Sequence, residues 1–311
     1  MSEEIPLTAP RTAANSIRFA TYNLLDYGNG DPEDAQVRQR EQRLVEVIAK
    51  LDVDVLAVQE VLNVDPGQAA RRLAELGEAC GLSYQVGDQV ALAPAASGFH
   101  VGLLWRPGIE PVRESWRAFG AGEFWHALAT LALDVGGPTP VTFAAYHADP
   151  FRPQRRFDEA FRVASLFHGR PVLIGADWNN IGAERKADGS YYDIDPYTGQ
   201  TWFDELIHQT RWSDDPDAPL EADRRAGELL RRSGLFDAAA VLDADWEPTT
   251  GYWPGGNRFG PRRTDAIRVT RHLLPALKAH WVARSDTALA TSDHLPAVVE
   301  FEPARIEHRA G

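Results

Sequence analysis

Three strand-like runs of apolar and β-branched residues, 101–105, 128–133 and 141–145, follow one another with no helical period between them. A doubly wound parallel sheet needs a crossover helix after each strand, so this stretch rules out a strict βαβ rhythm and calls for mixed, partly antiparallel sheets. Upstream, strand-like runs at 17–22 and 53–58 flank a helix-period segment at 36–51, with its stripe on Val37, Leu44, Val47, Ile48 and Leu51, and a second such segment covers 68–79. Downstream, a helical stripe at 157–167 precedes a strand at 172–174. Helices are read at 224–233 and 235–241, and strands at 266–269, 280–283 and 297–301. One domain over 17–303 is expected, between flexible tails at 1–16 and 304–311. It carries a long polar insertion at 182–223, whose Tyr191, Tyr192, Tyr197, Trp202 and Trp212 predict an ordered lid over a linker.

Composition narrows the chemistry. Of the 311 residues 32 are basic and 45 acidic, a net charge of -13 that opposes non-specific attraction to a polyphosphate backbone. Cys80 is the only cysteine, so a disulfide within the chain or a cysteine-based zinc site is excluded and any metal falls to oxygen or histidine donors. The first residues carry Glu3 and Glu4 without an apolar run, and no stretch is long and apolar enough to span a bilayer. The expectation is a cytoplasmic protein that does not enter a membrane.

Functional candidates stand where an acid or amide follows a buried apolar run. Asn23 closes 18–22, Glu60 follows 55–59, Asp177 and Asn179 follow 172–176, and Asp293 and His294 precede the last strand. Strand ends bring side chains to one rim of a sheet, so residues far apart in sequence can meet in one pocket. Carboxylate and amide oxygens are hard donors that suit Mg²⁺, with Mn²⁺ the alternative.

Taken together, Tyr22-Asn23, Gln59-Glu60, Tyr146-His147, Asp177-Trp178-Asn179, Arg263-Thr264-Asp265 and Ser292-Asp293-His294 give the chain an order of motifs that resembles the endonuclease/exonuclease/phosphatase superfamily. The resemblance implies an α/β fold, a four-layer sandwich of two mixed β-sheets packed face to face with helices outside. It implies a metal-dependent phosphoester hydrolase, with Glu60 as the main metal ligand and Asn23 and Asp293 close by. Asp177 is similar to the residue that orients or deprotonates the attacking water, and Asn179 to the amide that contacts the phosphoryl oxygen. His294 resembles the imidazole that stabilises the transition state, Asp265 the carboxylate that fixes its tautomer, and His147 the second histidine of the DNase I-like and sphingomyelinase-like branches.

Arg258, Arg262 and Arg263 precede Asp265 and are read as substrate contacts, because guanidinium forks match phosphoryl oxygens. Arg152, Arg155 and Arg156 are read as a solvated helix start, His126 as a core aromatic, and Trp178 as pointing into the core away from its neighbours. Trp202, Trp212 and Trp253 are candidates for an aromatic wall. The expected substrate is a small or medium organic phosphodiester or phosphomonoester. A DNase I-like nuclease is the alternative, and a non-catalytic binding protein on the same fold is the reading of another class.

Overall fold

The computed structural model of the chain describes residues 11–13, 15–200, 204–215, 217–252 and 259–307. Two large mixed sheets face each other. The first runs Leu277–Val282, Ala297–Phe301, Ile17–Tyr27, Val55–Leu62, Phe99–Trp105 and Leu92–Ala93; the second runs Leu235–Asp237, Asp265–Thr270, Val172–Asp177, Val141–His147, Leu128–Asp134 and Glu110–Pro111, with Arg117–Phe119 also paired to Leu128–Asp134. Each sheet holds one parallel pair, Ile17–Tyr27 with Val55–Leu62 and Val141–His147 with Val172–Asp177. The helix Ala35–Leu51 joins the first pair and Pro153–Leu166 the second, the crossover a parallel pair demands.

Helices cover the outer face of each sheet. Leu44, Val47, Ile48 and Leu51 of the first helix pack with Ala20, Tyr22 and Leu24, while Ala160 and Val163 pack with Ile174 and Ala176. Asp34 starts the first helix by accepting from the Gln36 and Val37 amides. Between the sheets lies the central core, where the Phe19 and Phe143 rings meet edge to face at 5.2 Å. The four-layer α/β sandwich implied by the resemblance is thus the fold of the chain.

Strand alternation carries that core to a polar end. On the inner faces the sequence of side chains runs Phe19, Thr21, Asn23 in one strand and Leu173, Gly175, Asp177 opposite, with Phe143, Ala145, His147 and Val269, Ile267, Asp265 alongside. The middle residues are small because the sheets nearly touch there. A Cβ on Gly175 would stand 2.8 Å from the Cβ of Thr21 and 3.0 Å from that of Ala57. This close approach brings the polar ends of the two sheets together.

Several local expectations change. Residues 235–241 divide into a strand, Leu235–Asp237, and a four-residue helix, Ala238–Val241, because Leu235 and Phe236 pair with Thr270 and Val269. The expected amino-terminal tail is tied down in part: Arg11 bonds Asp52 and Asp54, and Thr12 bonds Glu300. At the other end, Ile306 is buried in the central core. Among the described residues no helix is long and apolar enough to cross a membrane.

Candidate active site

Asn23 and Glu60 both sit where the pairing of their strands slips. The register of Ile17–Tyr27 with Val55–Leu62 breaks between Asn23 and Tyr27, and that of Val55–Leu62 with Phe99–Trp105 breaks between Val58 and Val61. Simple alternation would turn Glu60 to the outer face, since Gln59 already points inward and donates to the Gly175 carbonyl at 3.4 Å. Glu60 instead has φ of 62°, a left-handed conformation that re-aims its carboxylate to the inner rim. There its Oε1 accepts from Asn23 Nδ2 at 2.9 Å and its Oε2 from the Asp26 amide at 3.1 Å.

Asp177 stands at the centre, buried. Its Oδ1 accepts from the Asn179 amide at 3.0 Å and its Oδ2 from Asn23 Nδ2 at 3.2 Å, so both sheets hold this one carboxylate. Asn179, itself left-handed at φ 49°, donates through Nδ2 to the Ala148 carbonyl at 3.1 Å. Trp178 points outward, its indole N–H bonded to Ala266 O at 3.0 Å.

Two imidazoles flank Asp177 in opposite electrostatic settings. His147 Nε2 lies 3.5 Å from Asp177 Oδ2, and burial, with His294 as a lesser cause, pushes its pKa down to about 3. His294 Nε2 lies 3.9 Å from the same oxygen, while its Nδ1 is 2.7 Å from Asp265 Oδ2. Burial opposes the charged form of His294, yet the carboxylates of Asp265 and Asp177 outweigh it and hold the pKa well above the ordinary histidine value. Asp265 Oδ2 also accepts from the Thr249 hydroxyl at 2.6 Å, which fixes the dyad in place. Asp293 is exposed, with Oδ1 4.0 Å from His294 Nε2.

The structure therefore brings Asn23, Glu60, His147, Asp177, Asn179, Asp265, Asp293 and His294 to one rim. It does not bring Arg263 there. That guanidinium is buried and bonds both oxygens of Asp193 at 2.8 Å and Asp237 at 2.7 Å. With both carboxylates occupying the fork, Arg263 is a scaffold residue and not a free phosphate contact. Arg262 lies over the Phe259 ring at 4.9 Å, and Arg258, Trp202 and Trp253 lie outside the described residues. Arg156 also departs from expectation: it is buried and bonds the carbonyls of Asp149, at 2.8 Å, and His208. The 182–223 segment meets the loop that follows Val141–His147 at Phe151, whose carbonyl is 2.6 Å from His208 Nδ1, while Trp212 is exposed.

His126 belongs to the site although its sequence neighbours mark it as core. Its ring stacks on His147 at 4.0 Å and 10°, and its Nδ1 is 2.8 Å from Ser97 Oγ. Burial pushes its pKa down to about 2, so both stacked rings are neutral. The sequence signal is a histidine just before the strand Leu128–Asp134. In the unfolded chain both rings take up protons near pH 6.5, whereas in the fold they resist far below it, so their stability contribution is full above that pH and lost toward pH 3. Each ring adds up to about 1.4 kcal/mol per pH unit in that window. Thermal unfolding of His126→Gln should decline less steeply with falling pH than the wild type. An unchanged slope would contradict the buried neutral ring.

Donor chemistry fits a hard divalent cation at Glu60. Among the described residues no lysine or arginine pairs with that carboxylate, and burial raises its pKa to about 7. Asp177, Asp265 and His294 also place ligand atoms within 4.8 Å of one another, but the short Asp265–His294 bond makes that trio a hydrogen-bonded relay. Because the raised pKa of Glu60 marks stability lost as pH rises from 4.5 through 7, removing the charge should help the metal-free fold. Discounted for the water that reaches the cleft and for the amide N–H that glutamine sets against one of the two donors, the gain for Glu60→Gln at about pH 8 is on the order of 1 kcal/mol. Mg²⁺ should then raise the melting midpoint of the wild type and leave the variant unmoved. A variant that still responds to Mg²⁺ would place the ion elsewhere.

Comparison with known proteins adds the family. Residues 20–294 match the model described as Endonuclease/Exonuclease/phosphatase family. The chain belongs to that family. Among solved structures, an endonuclease/exonuclease/phosphatase from Bacteroides vulgatus is similar with a TM-score of 0.64 and 15% identity, covering 94% of this chain and 99% of the other. The mannosyl-6-phosphatase Bt3783 of Bacteroides thetaiotaomicron gives 0.57 at 16% identity, covering 91% and 98%. Truncated Caenorhabditis elegans TDP2 gives 0.56 at 14% identity, covering 92% and 98%. At such identities the likeness carries the fold. No curated protein sequence matches the chain.

Proposed function

We propose that the chain is a metal-dependent phosphoester hydrolase that attacks phosphorus with water, acting on a small or medium organic phosphodiester or phosphomonoester. The observation that carries this is one buried carboxylate, Asp177, between a neutral His147 and a protonated His294 at the polar junction of the two sheets. Titratable neighbours driven apart in pKa mark separate acid and base duties.

Asp177 orients the attacking water and accepts its proton, and the Asn179 amide holds the carboxylate in position. His294 directs Nε2–H at the phosphoryl oxygens as negative charge grows on them, while Asp265 keeps the ring protonated and facing the cleft. The second N–H of Asn179 Nδ2 is a further donor to those oxygens. Glu60, with Asn23 and Asp293 beside it, would hold the cation, Mg²⁺ first and Mn²⁺ as alternative, which supplies Lewis-acid polarisation of a phosphoryl oxygen. A mannosyl-6-phosphatase among the structural neighbours agrees with a small phosphate ester, as does the net charge of -13 against long nucleic acid.

The test sets bis(p-nitrophenyl) phosphate and p-nitrophenyl phosphate beside supercoiled plasmid, with Mg²⁺, Mn²⁺ or chelator. Hydrolysis of a small ester that chelator abolishes, with the plasmid intact, is the expected result. Nicking by the wild type and not by Asp177→Asn would move the protein to the nucleases. Inertness toward every phosphoester with either metal would overturn the reaction class.

A further inference from the structure

Outside the cleft, residues of the 182–223 segment and the helix Arg225–Arg232, with Phe157, line an open cavity of about 820 Å³. No residue of the catalytic group lines it. Its wall holds six arginines against four carboxylates, an inversion of sign on a chain whose net charge is -13.

Half of those arginines already hydrogen-bond carboxylates. Arg225 bonds both oxygens of Asp223, and Arg231 and Arg232 share Glu228. Three do not. Arg224 is buried, donates to the carbonyls of Gly182 and Asp193, and has its nearest carboxylate, Asp195, at 3.9 Å. Arg185 donates to the Gly189 carbonyl at 3.0 Å and lies over the Tyr191 ring at 3.4 Å, the same ring that Arg224 covers at 4.0 Å. Among the described residues no side chain partners the Arg211 guanidinium.

Burial lowers the pKa of Arg224 despite the nearby Asp195 and Asp193, and repulsion from Arg185 on the same ring adds a smaller push in that direction. The fold thus holds positive charge in a concavity without enough acid to balance it. Oriented guanidinium forks of this kind are matched by phosphoryl oxygens, which accept two parallel N–H bonds at once.

We propose that this cavity is an anion site, separate from the catalytic cleft, for a small polyanion carrying phosphate groups, gripped by Arg185, Arg211 and Arg224. Occupancy would bridge Arg185 to Arg211 and brace the 182–223 segment between them. The proposal holds whether or not the cleft hydrolyses phosphoesters.

Isothermal titration with inorganic pyrophosphate tests it, in chelator so that no metal recruits the probe to the cleft, on full-length wild type, Asp177→Asn and the double variant Arg185→Ala/Arg211→Ala. One site per chain is expected in the wild type, kept in Asp177→Asn and weakened about tenfold or more in the arginine double variant. Arg211→Gln alone, at a side chain that holds nothing in the fold, should weaken it in the same direction. Absence of binding overturns the proposal, as does binding that Asp177→Asn abolishes and the arginine variants keep, which assigns the anion to the cleft. Citrate bound as tightly as pyrophosphate would overturn the phosphate assignment.

Discussion

Asp177→Asn should lower turnover by roughly two to four orders of magnitude with the fold intact. The substitution keeps volume and shape, and the remaining amide oxygen can still accept from the Asn179 backbone, where Asp177 Oδ1 now accepts at 3.0 Å. What it removes is the negative charge between His147 and His294 and the acceptor facing Asn23, whose Nδ2 would then meet a second N–H donor. The loss reaches beyond the base. Asp177 is one of the carboxylates that keep His294 protonated, so the variant's imidazole gives up its proton at lower pH and the alkaline limb of any residual rate moves toward acid. His294→Ala should cost a similar factor, and the double variant little more than the worse single one, because the two residues serve one step. Steady-state rates, a pH profile and a thermal melt on the same preparations check this. A folded Asp177→Asn with near-wild-type kcat would remove the residue from the mechanism.

How much of this was legible in the sequence depends on the range over which each feature is decided. Alternation is local, so the ends of the runs 18–23 and 172–177 could be read as polar residues at a sheet rim, and the rim is where Asn23 and Asp177 stand; Asp265, beside them, was legible only through the resemblance. The outward turn of Trp178 follows from the same period of two. Glu60 obeys no such rule: only the bulge and its φ of 62° return it to the inner face, and a left-handed glutamate is not foreseeable from composition. The strand Leu235–Asp237 leads into Ala238, Ala239 and Ala240, whose helix propensity hid it, and pairing with Asp265–Thr270 overrode that preference. His126 was hidden for the opposite reason, since its hydrogen-bond partner Ser97 and its stacking partner His147 are 29 and 21 positions away.

The arginines next to Asp265 show why charge near a site in sequence is a weak guide, and they lead to the second large effect. Arg263→Ala should destabilise the fold by about 3–5 kcal/mol, while the KM of the folded fraction stays close to the wild-type value. Its partners come from positions that sequence cannot connect, Asp193 in the long segment and Asp237 at the end of an edge strand, and all three side chains are at most 2% exposed. Removing the guanidinium leaves two buried carboxylates facing each other. Asp237 is at present held below its ordinary pKa: burial pushes it up, and the guanidiniums of Arg263 and Arg268 more than compensate. Without Arg263 the Asp237 carboxylate shifts upward, so the deficit should be greatest at neutral pH and shrink as acid protonates it. The defect should also spread locally. Asp237 caps the helix Ala238–Val241 through the Ala239 amide, and Asp193 accepts from the Trp246 indole, which ties the 182–223 segment to the loop after that helix. Urea unfolding at about pH 7 and about pH 5, with kinetics on the same variant, separates the two roles. Wild-type stability with a raised KM would return Arg263 to the substrate; loss of stability at neutral pH that acid partly restores would keep it in the scaffold that holds Asp265 to its strand.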